Sequence, residues 1–240
     1  MGLHAGLGLI YQMKSVEPLV RKGDTVLLIP EYANFDGSFC FGEAELLMMV
    51  IDIIPAHRSL LSFRHWLHLL PMVPKYGADK LRHLFMPSSS KDCTDDFDAY
   101  GDMKYEAGLS PSAQMPISAA KALSASDFSP MVLGQMKEFV AVVRAHGGNV
   151  CVMPPAYQRS SFDRQKEFIA CLSKALTDDD MPFVCPPERY ALDDKYFYDT
   201  PYHLNLVGRI HRTMSICEDI SSYGLAAGIA AGQSRDSNSP

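Results

Sequence analysis

Gly23-Asp24-Thr25-Val26-Leu27-Leu28-Ile29-Pro30 decides how the chain folds. A Gly-Asp turn signal opens it, an unbroken apolar run follows, and proline closes it. A run that does not alternate is buried on both faces, as strands of a parallel sheet are. Just upstream, residues 5–21 place Leu9, Ile10, Met13, Val16 and Val20 at three- and four-residue steps, the period of a helix. The same helix-then-strand phrase recurs. Residues 131–145 read as a helix ended by Gly147-Gly148, and residues 149–153 read as a strand stopped by Pro154-Pro155. A third helix is predicted over about 161–176, with Phe162, Ile169, Leu172 and Leu176 on one face. Asp178-Asp179-Asp180 marks a solvated turn, because acids are unfavourable at a helix C-terminus. A short strand is expected near Phe183-Val184-Cys185, and a last helix over 206–222. Helices alternating with buried strands predict an α/β fold built on a parallel sheet.

A long interruption separates the two phrases. Residues 43–54, 57–70 and 75–85 read as helices, the last two separated by Pro71 and Pro74, and residues 87–130 as irregular. A connection this long inside one domain is usually functional or disordered. Residues 40–86 are read as a helical insertion standing over the site as a lid. The expected organisation is one α/β domain over residues 1–223, interrupted over about 37–130, with a flexible tail at 224–240.

Composition removes several classes of function. The 240 residues are 47% hydrophobic and 21% charged, with a net charge of -6, and the 22 Lys and Arg are scattered. That is no footprint for nucleic acid, and no basic cluster is present to dock on anionic lipid. The six cysteines lack C-x-x-C spacing, and several lie in apolar runs, so they read as reduced core residues. No metal site and no cofactor are expected from these patterns. No leader or membrane-spanning run is visible. As it stands the chain reads as cytoplasmic, or as periplasmic or membrane-anchored if further sequence precedes Met1.

The chemistry-bearing stretch is Phe197-Tyr198-Asp199-Thr200-Pro201-Tyr202-His203-Leu204-Asn205, followed by Gly208. A loop at a helix entrance can hold Asp199 against one ring nitrogen of His203 and leave the other free. This is the base-and-orienter half of a Ser-His-Asp site. Asn205 reads as the N-cap of the last helix. Ligands of open parallel sheets bind beyond the carboxyl ends of the strands. Residues 30–35, 154–157 and 199–203 are expected to meet there.

With Gly23–Tyr32, Val152–Pro155 and the glycine-containing start Met1-Gly-Leu-His-Ala-Gly-Leu-Gly8, the end block resembles the SGNH/GDSL-type hydrolases and acyltransferases, in a divergent bacterial branch. The resemblance covers both ends of the chain and skips the middle. It implies a flavodoxin-like sheet and two-step acyl transfer on small esters or acylated carbohydrate. His203 would be the general base and Asp199 its partner. Gly2 and Asn34 would help form the oxyanion hole. Three departures stand out: Asp199 and His203 are four apart where many members have three; Pro30–Asn34 copies the Gly-x-Asn-Asp pattern poorly; and the nucleophilic Ser strand that precedes the glycine block is missing. The alternative is a non-catalytic module of the same fold, truncated or decayed, that binds a partner through its insertion and its unpaired sheet edge.

Other residues read more simply. Ser38 lies in a solvated turn, Ser160 and Ser161 are helix N-caps, and Cys40 has no activating neighbour. His65 and His68 sit one turn apart on a predicted helix, with His57 and His83 nearby, but no carboxylate is spaced to complete a metal site. They read as partly exposed imidazoles of an amphipathic helix. Leu60, Leu61, Phe63, Trp66, Leu67 and Leu69 form an apolar surface suited to acyl chains or a membrane.

Overall fold

The structure, a computed structural model, describes residues 5–37, 39–85, 123–179, 181–182 and 185–222. It is a mixed α/β arrangement with two small parallel two-stranded sheets. Strand β1 (Thr25–Leu28) pairs with β2 (Asn149–Val152) in the register Thr25 to Asn149 through Leu28 to Val152. The two apolar runs are thus parallel neighbours, as their lack of alternation predicted. A second pair, β3 (Tyr157–Gln158) with β4 (Ala191–Leu192), follows the Pro154-Pro155 stop and has no counterpart in the sequence reading. Two residues are too short to carry a period.

The helices are α1 (Leu9–Val16), α2 (Ala44–Ile53), α3 (Phe63–Leu69), α4 (Val73–Phe85), α5 (Pro130–Ala145), α6 (Arg159–Arg164), α7 (Lys166–Asp178) and α8 (Leu206–Ser222). Several differ from expectation for local reasons. The helix expected over 5–21 is α1 flanked by 3-10 turns at Ala5–Leu7 and Glu17–Leu19, because Pro18 cannot continue an α-helix. The helix expected over 161–176 starts earlier and breaks at Gln165, so Ser160 and Ser161 lie inside α6 rather than capping it. The Asp194 carboxylate accepts from the Ser160 amide instead, at 3.0 Å. At the other end α7 runs on to Asp178. Lys174 pairs with Asp178 and Lys137 reaches Asp179 at 2.6 Å, which offsets the unfavourable acids. Residues 57–70 divide into a 3-10 turn, Pro55–Leu60, and α3. Of the strand expected at 183–185, residues 183 and 184 lie outside the described residues, as do residues 86–122 and the tail 223–240.

The main core lies between β1, β2 and helices α1, α5 and α7, with Leu9, Met13, Val132, Met136, Phe139, Val150, Phe168 and Leu172 buried together. Each such side chain contributes about 1.5–3 kcal/mol on burial. Helices α2 and α3 share a smaller cluster, Leu7, Tyr11, Leu47, Ile51, Leu61 and Leu69, with the start of α1. Helix α8 is tied down by Asp219, which accepts from Arg189 Nε at 2.7 Å and from the Tyr190 hydroxyl at 2.8 Å.

One edge of β1 stays open among the described residues. The Asp24 and Leu28 carbonyls accept from the Asn149 and Met153 amides at 2.8 and 3.0 Å. Strand backbone groups alternate in direction, so those of Thr25 and Leu27 point away from β2. A groove of about 820 Å³ runs along that side, walled by Met13 and Val16 of α1, Phe139 of α5 and Arg212 of α8.

Candidate functional site

The loop between β4 and α8 is shaped before it reaches the cleft. An antiparallel bridge joins Phe197 to Leu204, and the Tyr198 amide donates to the His203 carbonyl at 3.2 Å. Inside it, Thr200 Oγ1 accepts from the Tyr202 and His203 amides at 3.3 and 3.1 Å, a threonine-centred turn. That turn folds residue 203 back over residue 199. Asp199 Oδ1 and His203 Nδ1 lie 2.8 Å apart, and the His203 ring stacks on Tyr198 at 5.7 Å between centroids. The four-residue spacing is therefore served by a loop turn, not by a helical turn. The loop is held from outside by the Gln158 amide of β3, which donates to the Pro201 carbonyl at 3.0 Å.

Asn205 closes the loop. Its side-chain oxygen accepts from the Gly208 amide at 3.0 Å and its nitrogen donates to the Lys195 carbonyl at 2.8 Å. It is the N-cap of α8, as the sequence predicted.

His203 opens into a cleft of about 470 Å³, lined also by Glu31 and Asn34 after β1, by Pro155 and Ala156 after β2, and by Thr200 and Tyr202 of its own loop. The three segments expected at the carboxyl edge of the strands meet in this cleft. Asn34 is buried in its wall. Its backbone amide donates to the Glu31 carbonyl at 2.9 Å, and its side-chain oxygen accepts from the Glu31 amide at 3.1 Å. Gly2 and Ser38 lie outside the described residues. Gly6, from the same N-terminal block as Gly2, does line the cleft.

Sequence reasoning missed Glu31. Burial raises its carboxyl to about 6, and the neighbouring His203 works in the opposite direction. The signal was available: Glu31 is the first residue after Pro30, at the carboxyl end of β1, where ligands bind. Arg212, four residues beyond Gly208, was given no role from sequence, and it too lines the cleft. Tyr202 packs on Tyr157 at 4.7 Å, and Tyr157 on Tyr32 at 5.1 Å, making an aromatic wall. Burial pushes the Tyr157 hydroxyl up to about 12, so this wall stays neutral.

With Nδ1 held by Asp199, His203 presents Nε2 to the cleft as its remaining ring nitrogen. That pair can take a proton from a hydroxyl and return it to a leaving group. Among the described residues no hydroxyl or thiol in or near the lining is placed as the nucleophile, and burial holds the Tyr202 phenol well above its ordinary range. Thr200 Oγ1 is occupied by two backbone amides, the buried Ser161 Oγ donates to Gln158 at 2.9 Å, and Cys40 Sγ turns to the Gly37 carbonyl at 3.4 Å. Burial raises the Cys40 thiol as well, which suppresses its thiolate.

The expected lid is corrected in one respect. Phe39 and Glu43, at the start of the insertion, line the cleft, but no residue of α3 or α4 does. Of the α3 histidines, His68 is half-buried as expected and His65 is not. His65 is fully buried, with Nδ1 accepting from the Ser62 amide at 3.1 Å, and His68 Nε2 lies 2.9 Å from the Gly42 carbonyl. Among the described residues no cluster of His, Cys, Asp or Glu could hold a metal ion, and no helix is long and apolar enough to cross a membrane. Comparison with known proteins adds no constraint: no family model, no curated protein and no solved structure matches the chain.

Proposed function

We propose that the cleft is a His-Asp acyl-transfer site of the SGNH type, used for ester hydrolysis or O-acyl transfer to a small or carbohydrate acceptor. The observation that carries this reading is the 2.8 Å contact between Asp199 Oδ1 and His203 Nδ1 in a cleft at the carboxyl end of β1. In the proposed reaction His203 Nε2 removes the proton of a serine hydroxyl as the oxygen attacks the ester carbonyl. Collapse of the tetrahedral adduct expels the alcohol, which leaves with the proton from His203. Water or an acceptor hydroxyl then repeats the sequence on the acyl-enzyme and releases the serine. Asp199 holds the tautomer and stabilises the imidazolium. A strand laid parallel along the open edge of β1 would end beside Ile29, where the cleft begins, and could deliver the nucleophile there.

The same open edge supports a second reading, a binding module that captures an extended segment by strand addition. Fluorophosphonate labelling of protein isolated from its natural source separates the two. Labelling that His203→Ala abolishes supports acyl transfer. A folded sample that takes no label supports the module.

A further inference from the structure

Among the described residues Arg212 has no carboxylate partner that would explain its position. It lies on the second turn of α8, and its side chain borders both the cleft and the groove along β1. Its Nε is buried, with no hydrogen-bond partner among the described residues. A nearby arginine shows what a settled guanidinium looks like: Arg189 bonds to Asp219 at 2.7 Å and to Glu218 at 3.0 Å. Burial lowers the affinity of Arg212 for its proton, and Tyr190, not a carboxylate, is the group that opposes this. Glu31 shares the cleft, yet the charge it feels is that of His203. A buried cation without a carboxylate is costly to hold.

The fold puts it there deliberately. Gly208 is one turn earlier on the same helical face, and a Cβ at that position would meet the Tyr196 carbonyl at 2.7 Å. The missing side chain lets α8 press against the loop, which draws the next turn, with Arg212, into the cleft.

We propose that Arg212 is an anion-binding residue of this cleft, and that the molecule bound there carries a carboxylate or phosphate group next to the position facing His203. This deepens the acyl-transfer reading and rests on it for the identity of the site, but anion binding is measurable without turnover. The planar fork of the guanidinium matches both oxyanions in a bidentate fashion, whereas a lysine offers one point charge.

The test follows the His203 ring signals by NMR during titration with succinate, with inorganic phosphate and with neutral glycerol as control. Succinate or phosphate is expected to shift them saturably and glycerol to leave them unmoved; the stronger of the two anions names the group. In Arg212→Met the affinity should fall at least tenfold, and in Arg212→Lys by a smaller factor. Saturable binding of neither anion to the wild-type protein overturns the proposal, and needs no variant to fold. Undiminished binding by folded Arg212→Met overturns it too. Failure of fluorophosphonate labelling in a sample that binds anions would instead remove the acyl-transfer reading and leave the anion site standing.

Discussion

Gly8 and Gly42 cross backbone against backbone, each at a φ of +79°, so closely that a Cβ on Gly8 would lie 2.4 Å from the Gly42 nitrogen. The reciprocal Cβ on Gly42 would lie 2.4 Å from the Leu7 carbonyl carbon. Beside this crossing the Glu43 amide donates to the Gly6 carbonyl at 2.6 Å, and both Gly6 and Glu43 line the cleft. The crossing therefore joins the start of α1 to the start of the insertion and builds one wall of the site.

Gly8→Ala and Gly42→Ala should each destabilise the protein by at least about 2 kcal/mol, since backbone must move and the left-handed conformation penalises a side chain. Urea unfolding monitored by circular dichroism measures it. A loss below about 0.5 kcal/mol in either variant would contradict the described crossing.

Glu31 should make stability fall as pH rises. Its folded carboxyl titrates at about 6 against an ordinary 4.5, so the folded state binds more protons between those values. The stability present below pH 4.5 is lost as pH rises through about 6, by about 2 kcal/mol. Glu31→Gln keeps an acceptor for the Asn34 amide and removes the charge. It is expected to be more stable than wild type at pH 7.5 and to match it at pH 4. Equal pH profiles for the two would refute the burial of this carboxyl.

His65 works in the opposite direction over an overlapping window. Burial, then His68, lowers it from 6.5 to about 4. Its contribution is present above pH 6.5 and lost as pH falls toward 4, amounting to about 2 kcal/mol by pH 5. Ser62 and His65 also form a reciprocal N-terminal box on α3. Glutamine fits that box without titrating. The urea midpoint of His65→Gln should accordingly be flatter than wild type between pH 7 and pH 5.

Asn205→Ala should cost about 2 kcal/mol, because it leaves both the Gly208 amide and the Lys195 carbonyl without their partner. Asn205→Asp retains the cap acceptor and loses the donor, so its unfolding free energy is expected between those of wild type and the alanine variant.

An apolar stripe from α3 across the following 3-10 turn to the start of α4 faces water: Phe63 is 75% exposed, Trp66 43%, Leu67 53%, Leu70 64% and Val73 48%. Leu61 and Leu69, assigned to the same surface from sequence, point inward to the smaller core. Trp66 is the only tryptophan of the chain, so its emission reports on this face alone. If the stripe serves a lipid or acyl surface, as the sequence reading expects, phosphatidylcholine vesicles will shift that emission to the blue, and Leu67→Asp with Leu70→Asp will abolish the shift. Unchanged emission in the wild-type protein removes that role.

Much of this architecture was legible before any coordinates. Thr25–Leu28 and Asn149–Val152 could be read as parallel strands because neither alternates, although the open edge leaves β1 only half-buried where β2 is buried from Val150 to Val152. The Asp199–His203 contact and the Asn205 cap could be anticipated because both are local, within one loop and the helix it opens. What failed was of two kinds. Pro18 and Gln165 broke helices whose apolar period continues across them, since periodicity reports which face is buried and not whether the backbone bonds run on. Ser160 and Ser161 were misassigned because Asp194, distant in sequence, supplies the acceptor.

The linear order of residues settled the parallel pairing, the helical cap and the Asp-His contact, because each follows from neighbours within a turn or from the hydrophobicity of one short run. Packing between distant segments settled the rest. Only the folded chain brings Glu31 beside His203, places Gly8 against Gly42, buries His65 and leaves Arg212 without a carboxylate among the described residues. Those are properties of the space between segments, set by which side chains exclude water from it, and no local pattern encodes that space.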